Sequence, residues 1–211
     1  MKKYILLLAL LLSSTTFAVE PKFNDNFKQT KNEIETSSPG KIEVLELFWY
    51  GCIHCYSMDP YLDKWADSLP DDVVFKRVPA IPRKSWVPGA KAYYALETLG
   101  LEGKLHEKLF DAIHKEKDVD PNNEAALISW ITLNGKLDEK EVKAAFNSFS
   151  IDTKLKKSYK IFKEAGATGV PTIIIDGNYM TSSTMAGGEK NAIDITNYII
   201  ENIRNDRKKS N

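Results

Sequence analysis

The sequence predicts an α/β fold with a block of helices inserted into it. Three observations predict it. Residues 41–50 (KIEVLELFWY) are rich in branched and aromatic side chains and apolar on both faces, as a central strand covered on both sides must be. A helix-like stretch over 52–68 and a second strand over 73–78 follow, the β-α-β opening of an α/β domain. Residues 85–150 then hold no convincing strand, only short amphipathic runs.

The first 18 residues stand apart. Lys2 and Lys3 precede an unbroken apolar run over 4–12, and small residues close the segment at Ala18. That is the layout of a secretory signal peptide, with cleavage expected after Ala18. The run is too short to span ~30 Å of hydrocarbon as a helix. No cysteine follows it that could carry a lipid anchor. No later segment is apolar enough to cross a membrane, so a soluble exported protein is expected. Removing two lysines from a balance of 29 basic and 29 acidic residues leaves the mature chain about two charges negative. Nucleic-acid binding needs a basic surface, and nothing here supplies one.

The remaining elements follow from local signals. Residues 19–40 are polar and end in the loop signal Ser37-Ser38-Pro39-Gly40. Helices are expected over 88–99, stopped by Gly100, over 105–113, and over 125–133 with Gly135 beyond. Another starts at Leu137, where Asp138 can cap, Glu141 can reach back and Leu137 can pack on Val142. A longer helix over 152–165 is stopped by Gly166. A strand over 171–175, the turn Asp176-Gly177 and a return strand over 178–181 form a hairpin. A last amphipathic helix covers 190–204, with Arg207-Lys208-Lys209 as a frayed, solvated end. The expected organisation is a discontinuous sheet-bearing domain, 19–84 and 151–211, interrupted by the helical insertion 85–150.

Chemistry concentrates at Cys52-Ile53-His54-Cys55. Export implies an oxidising environment for these two cysteines, the only ones in the chain. A bridge between them closes almost no loop, so structural stapling explains the pair poorly. If Cys52 caps the helix, its sulfur faces unpaired N–H groups and the positive end of the macrodipole, which favours the thiolate. Cys55 lies on the same helix face and close enough to bridge, giving an exposed nucleophile and a shielded resolving partner. Zinc needs about four Cys or His ligands, and His54 inside the short loop cannot easily join both cysteines on one metal. Haem attachment needs His directly after the second cysteine, where Tyr56 stands. His54 can tune Cys52 or simply be a surface polar residue. His106 and His114 read as ordinary helix residues.

Two further positions stand out. Glu46 shares a strand face with Ile42, Val44 and Phe48, where a carboxylate must be paired or protonated unless it reaches solvent at an edge. An acid there could exchange protons with Cys55, and Lys76 in the next strand is a candidate partner. Gly169-Val170-Pro171-Thr172 enters the later strand; from spacing alone a cis and a trans Pro171 stay equally open. A cis bond would expose the edge of Val170 for pairing with an extended substrate.

Together, the run Glu46-Leu47-Phe48-Trp49-Tyr50-Gly51-Cys52-Ile53-His54-Cys55-Tyr56, the helical insertion and Gly169-Val170-Pro171-Thr172 resemble the DsbA family of bacterial periplasmic disulfide oxidases, over nearly the whole mature chain. The resemblance implies a thioredoxin-like fold with an inserted helical domain. It implies that Cys52 is the nucleophile, Cys55 resolves, His54 tunes, Pro171 is cis, and Glu46 and Lys76 form a buried acid–base pair. Asp59 falls where the family often has another acid. No cofactor beyond the cysteine pair is implied. Expected partners are newly exported proteins with reduced cysteines and a DsbB-like membrane oxidase that restores the disulfide; a monomer is expected. Ile53 departs from the family's common Pro and bears on oxidising strength, not on reaction class. The alternatives are a disulfide isomerase or reductase, though residues 19–40 are too short for a dimerisation domain, and a redox-inert peptide-binding module, which would not need both cysteines.

Overall fold

A computed structural model describes residues 20–209; the signal peptide expected over 1–18 lies outside the described residues. Five strands form one sheet in the order β1-β5-β4-β2-β3. β2 (Ile42–Phe48) lies inside the sheet, between β4 and β3, and is buried at every position, because layers cover both of its faces. It pairs in parallel with β3 (Val73–Pro79) and antiparallel with β4 (Thr172–Ile175). β4 turns through Asp176-Gly177 into β5 (Tyr179–Thr181), as the hairpin signal predicts. Residues 19–40 are not wholly a loop: β1 (Lys28–Gln29) pairs with β5 at the sheet edge.

Helix α1 (Ile53–Ala66) links β2 to β3. On its side of the sheet Met58, Leu62 and Trp65 meet Ile42, Val44, Ile173 and Ile175, together with Ile195, Ile199 and Ile200 of α8 (Glu189–Lys209). Leu45, Leu47, Val78 and Ile174 point the other way, onto Ile161 and Ala165 of α6 (Phe149–Ala165). α6 begins three residues before its expected start because Ser148 caps it, accepting from the Ile151 N–H. α8 runs through the expected frayed end. Arg207 lies in its last turn and pairs with Asp176 of the hairpin turn at 2.7 Å.

Between β3 and α6 stand α2 (Val87–Thr98), α3 (Glu102–Asp111), α4 (Glu124–Gly135) and α5 (Glu139–Phe146). Asp138 caps α5 by accepting from the Lys140 N–H. α3 does not run on to residue 113 as one α-helix. It gives way to a π-turn over Ala112–Glu116, closed by Lys117 at φ 60°. The apolar core of these helices includes Leu105, Leu109, Phe110, Leu127 and Phe146, and it takes in Phe48, Tyr50 and Cys55. The cysteine loop therefore sits where the helical layer meets the sheet. α7 (Ser183–Ala186), a single turn, connects β5 to α8.

Candidate active site

The chain leaves β2 through a tight turn in which the Cys52 N–H donates to the Trp49 carbonyl at 2.9 Å. Cys52 is then the N-cap of α1, in extended geometry (φ −95°, ψ 115°). Its sulfur is half-buried, whereas Cys55 is fully buried, and both are free thiols. The Cys52 thiol is lowered to about 6. Its hydrogen bond with the Cys55 thiol outweighs the opposing effect of burial, and the backbone N–H groups of Cys55 and His54 and the charge of His54 add to it. Burial pushes the Cys55 thiol well above the ordinary range, and the hydrogen bond to Cys52 and the nearby Glu46 charge reinforce that. One motif thus carries two thiols of opposite character. His54 is exposed on the first turn, beside Ile53, which is 52% exposed.

Val170 and Pro171 come to the same place. The Cys52 thiol donates to the Val170 carbonyl at 3.4 Å, and the Val170–Pro171 bond is cis. Cys52 and the Val170–Pro171 step therefore lie together, with Cys55 buried behind them and His54 exposed on the first turn of α1.

Beneath them lies a charged cluster whose composition differs from the expected one. Lys76 does not pair with Glu46. In the parallel register Glu46 stands opposite Arg77, while Lys76 stands opposite Leu45 and points to the other face of the sheet. There its ammonium binds Glu43 at 2.7 Å, together with Ser37 and Ser38. Burial raises Glu43, but the Lys76 and serine hydrogen bonds overcome that and hold it below the carboxylate range. Glu46 instead meets Arg77, Nε to Oε2 at 3.3 Å. The same guanidinium donates to Asp59 at 2.9 Å and to Asp63, and lies 3.8 Å from Glu102. Burial pushes Glu46 up to about 8, with the Arg77 charge opposing and the Asp59 and Asp63 charges assisting. Burial also raises Asp59, but hydrogen bonds and charge from His106 and Arg77 hold it below the usual range. Glu46 and Asp59 are thus brought together around Arg77, which stands in the place given to Lys76.

His106 and His114 are not ordinary helix residues. His106 is buried between Asp59 and Tyr50, and His114 binds the Tyr50 carbonyl. The legible signal for His106 was its place beside Leu105 and four residues before Phe110, on the apolar face of its helix. His114 carries no such signal, because a π-turn sets its direction.

Comparison with known proteins decides the family. Residues 62–192 match the family described as a DSBA-like thioredoxin domain. The thiol:disulfide interchange protein DsbA of Azotobacter vinelandii is 35% identical over 185 residues, 87% of this chain and 85% of its own. The Pseudomonas aeruginosa protein of that name is 34% identical over 213 residues, 97% of this chain and 99% of its own. A crystal structure of Pseudomonas aeruginosa DsbA matches with a TM-score of 0.83 at 32% identity, over 89% of this chain and 97% of that one. The oxidoreductase DsbA from Xylella fastidiosa matches with a TM-score of 0.81 at 28% identity, over 87% and 98%.

The chain belongs to the DsbA family. It is a thiol–disulfide oxidoreductase of thioredoxin-like fold, and DsbA-family chemistry runs on the chain's own cysteine pair without an added cofactor. Among the described residues, no group of three or more His, Cys, Asp or Glu is arranged to hold a metal ion, and no helix is long and apolar enough to cross a membrane.

Proposed function

We propose that the chain is a periplasmic protein dithiol oxidase that donates its Cys52–Cys55 disulfide to reduced cysteines of newly exported proteins. A substrate thiolate attacks the Cys52 sulfur; the Cys52–Cys55 bond breaks, and Cys55 leaves as a thiolate that takes a proton from Glu46. A second substrate thiolate then attacks the substrate sulfur of the mixed disulfide, and Cys52 leaves as a thiolate. Two electrons pass from substrate to enzyme, and one substrate disulfide forms. Reoxidation falls to a membrane partner of the DsbB kind. Val170 pairs its backbone with an extended substrate, with Pro171 fixing that edge. His54 tunes Cys52, and Asp59 holds negative charge beside Glu46. Residues 19–84 and 151–211 act as the redox domain and 85–150 as a helical cover over its cysteine loop.

One observation carries this reading: the leaving thiol Cys52 is lowered to about 6 while its buried partner is raised. A stable departing thiolate drives transfer of the disulfide outward to substrate.

Two measurements test it. A glutathione redox titration of the purified mature protein should give a strongly oxidising pair. Oxidative folding of a reduced substrate should be fast, and rescue of a scrambled one slow. Efficient rescue with weak oxidation would identify an isomerase instead.

A further inference from the structure

Tyr50 is held at both of its ends by histidines of the helical layer. Its hydroxyl oxygen lies 2.7 Å from His106 Nδ1, and its carbonyl oxygen lies 2.7 Å from His114 Nε2. The partners fix the proton on each Nε2. A carbonyl only accepts, so His114 Nε2–H donates. The Asp59 carboxylate lies 3.2 Å from His106 Nε2 and also only accepts, so Nε2–H donates there too. His106 Nδ1 faces the Tyr50 hydroxyl, and either of the two can supply the proton of that bond. Burial raises the Tyr50 phenol well above its ordinary range, so the hydroxyl keeps its proton.

His114 owes its position to an irregularity. The π-turn over Ala112–Glu116 carries one extra residue. At 3.6 residues per turn, one residue rotates the side chains beyond it by about 100°. Such turns are rare and concentrate at functional sites. From there His114 also stacks on Tyr56 (centroids 5.1 Å apart, planes 16° apart), and the Tyr56 hydroxyl donates to Asp111 at 2.7 Å. The same turn of chain therefore touches a residue before Cys52 and a residue after it.

Cys52 needs such support. Its side chain makes no well-formed capping hydrogen bond into α1, and the groups that reach its sulfur, the Cys55 thiol, the first-turn N–H groups and the Val170 carbonyl, act only while the loop presents it to them. N–H groups stabilise a thiolate only while the sulfur stays over them, because hydrogen bonds weaken steeply with misalignment. That presentation depends on the Trp49-to-Cys52 turn, in which Trp49 stacks on Trp86 and Tyr50 is gripped by histidines at both its hydroxyl and its carbonyl.

We propose that His106 and His114 are positioning residues for disulfide exchange: by gripping Tyr50 at its hydroxyl and its carbonyl, they hold the Cys52 sulfur over the first turn of α1. This rests on the reading of Cys52 as the nucleophile.

The test measures thiolate absorbance against pH in the reduced full-length mature protein, beside a glutathione equilibrium and a thermal melt. The variants are Tyr50→Phe, His114→Ala, His114→Gln and His106→Gln. Tyr50→Phe and His114→Ala should raise the Cys52 midpoint by roughly half a pH unit or more, about threefold in thiolate stabilisation. The glutathione equilibrium should shift towards the disulfide form by a similar factor. His114→Gln returns an N–H to the Tyr50 carbonyl, and His106→Gln can accept from the Tyr50 hydroxyl and donate to Asp59. Both should titrate close to the native protein. Tyr50→Phe removes one oxygen and keeps the ring, so it reads the contact even if a histidine variant fails to fold. Native-like titration of Tyr50→Phe and His114→Ala, with or without a lower melting temperature, overturns the proposal, because the contacts would then only pack. Equal shifts in His114→Ala and His114→Gln overturn it as well. A native protein with no low midpoint removes the nucleophile reading, and the positioning role with it.

Discussion

Arg77 faces Glu46 across β2 and β3 at one register position, with side chains only 10% and 2% exposed and Nε 3.3 Å from Oε2. Neither of these two atoms has a well-directed hydrogen bond. The guanidinium spends its directed bonds on Asp59 and Asp63. One cation cannot neutralise four surrounding carboxylates, so the most deeply buried of them, Glu46, retains its proton up to about pH 8. That proton sits beside Cys55, whose thiolate must be quenched when the disulfide opens.

Replacing Glu46 with Gln should therefore act on two observables. The folded value of Glu46, about 8, is raised above its ordinary 4.5. Its contribution to stability is complete below about pH 4.5 and is lost as pH rises through about 8. Glu46→Gln stays neutral, so its stability relative to the native protein should climb between pH 5 and pH 9. Exchange with a reduced peptide at pH 7 should slow by roughly tenfold or more, because the buried Cys55 loses its acid. Denaturant melts across that range, with stopped-flow exchange beside them, check both. Parallel pH curves for the two proteins would remove Glu46 as the titrating acid.

Arg77→Met and Lys76→Met should separate two residues adjacent in sequence. Arg77→Met leaves buried Asp59 with only His106 beside it and Glu46 with no cation, and should cost about 3–5 kcal/mol. The Lys76 side chain is 36% exposed, and Glu43 keeps Ser37 and Ser38, so Lys76→Met should cost about 1 kcal/mol or less. Only Arg77→Met should change the pH dependence of exchange. An unchanged profile in Arg77→Met, or a changed one in Lys76→Met, reverses the assignment.

The Lys76 misplacement shows where sequence stops informing. In the β3 run VVFKRVP, neighbours face opposite sides of the sheet, so only one of Lys76 and Arg77 can meet Glu46. Which one does depends on the register between β2 and β3, which no local pattern encodes. The features that were legible are local or covalent: the apolar β2 run, the cysteine spacing, the Asp176-Gly177 turn and the Asp138 cap. Val170 and Cys52 are 118 residues apart, and no local pattern encodes that they meet. The two-residue β1 was invisible because two residues carry no periodicity.

Gly51 is held to a hydrogen side chain by Trp49. A Cβ on residue 51 would lie 2.5 Å from Cη2 and Cζ2 of the Trp49 ring. That ring stacks on Trp86, centroids 4.1 Å apart and planes 5° apart, so it cannot yield without breaking the stack. Gly51→Ala should cost about 1–3 kcal/mol. It should also change the near-ultraviolet circular dichroism of the tryptophan pair and raise the Cys52 midpoint, since residue 51 precedes the nucleophile. A native tryptophan spectrum in Gly51→Ala would show that the turn accommodates the methyl group.

The stability of the reduced protein relative to the oxidised one should depend on pH in one direction. In the reduced protein Cys52 is lowered from an ordinary 9.0 to about 6. A depressed folded value means stabilisation that is fully present above about pH 9, and is lost as pH falls through about 6. The oxidised protein has no such thiol. Its four-residue loop adds only a small offset that does not vary with pH. Glu46 titrates in both forms, so its effect largely cancels in the difference. Reduced-minus-oxidised stability should thus be flat below about pH 5 and rise by ~1.4 kcal/mol per unit between pH 6 and 9. The total rise should be roughly 3–4 kcal/mol, the partial exposure of Cys52 trimming the upper end. By pH 9 the reduced form should be the more stable, opposite to ordinary disulfide behaviour. Above that the trend reverses as Cys55, raised by burial, is forced to ionise. Paired denaturant melts at pH 4.5, 6, 7, 8 and 9 give the curve. A difference that stays level across the range means that Cys52 is no stabilised thiolate, and the outward drive of its disulfide would have to come from elsewhere.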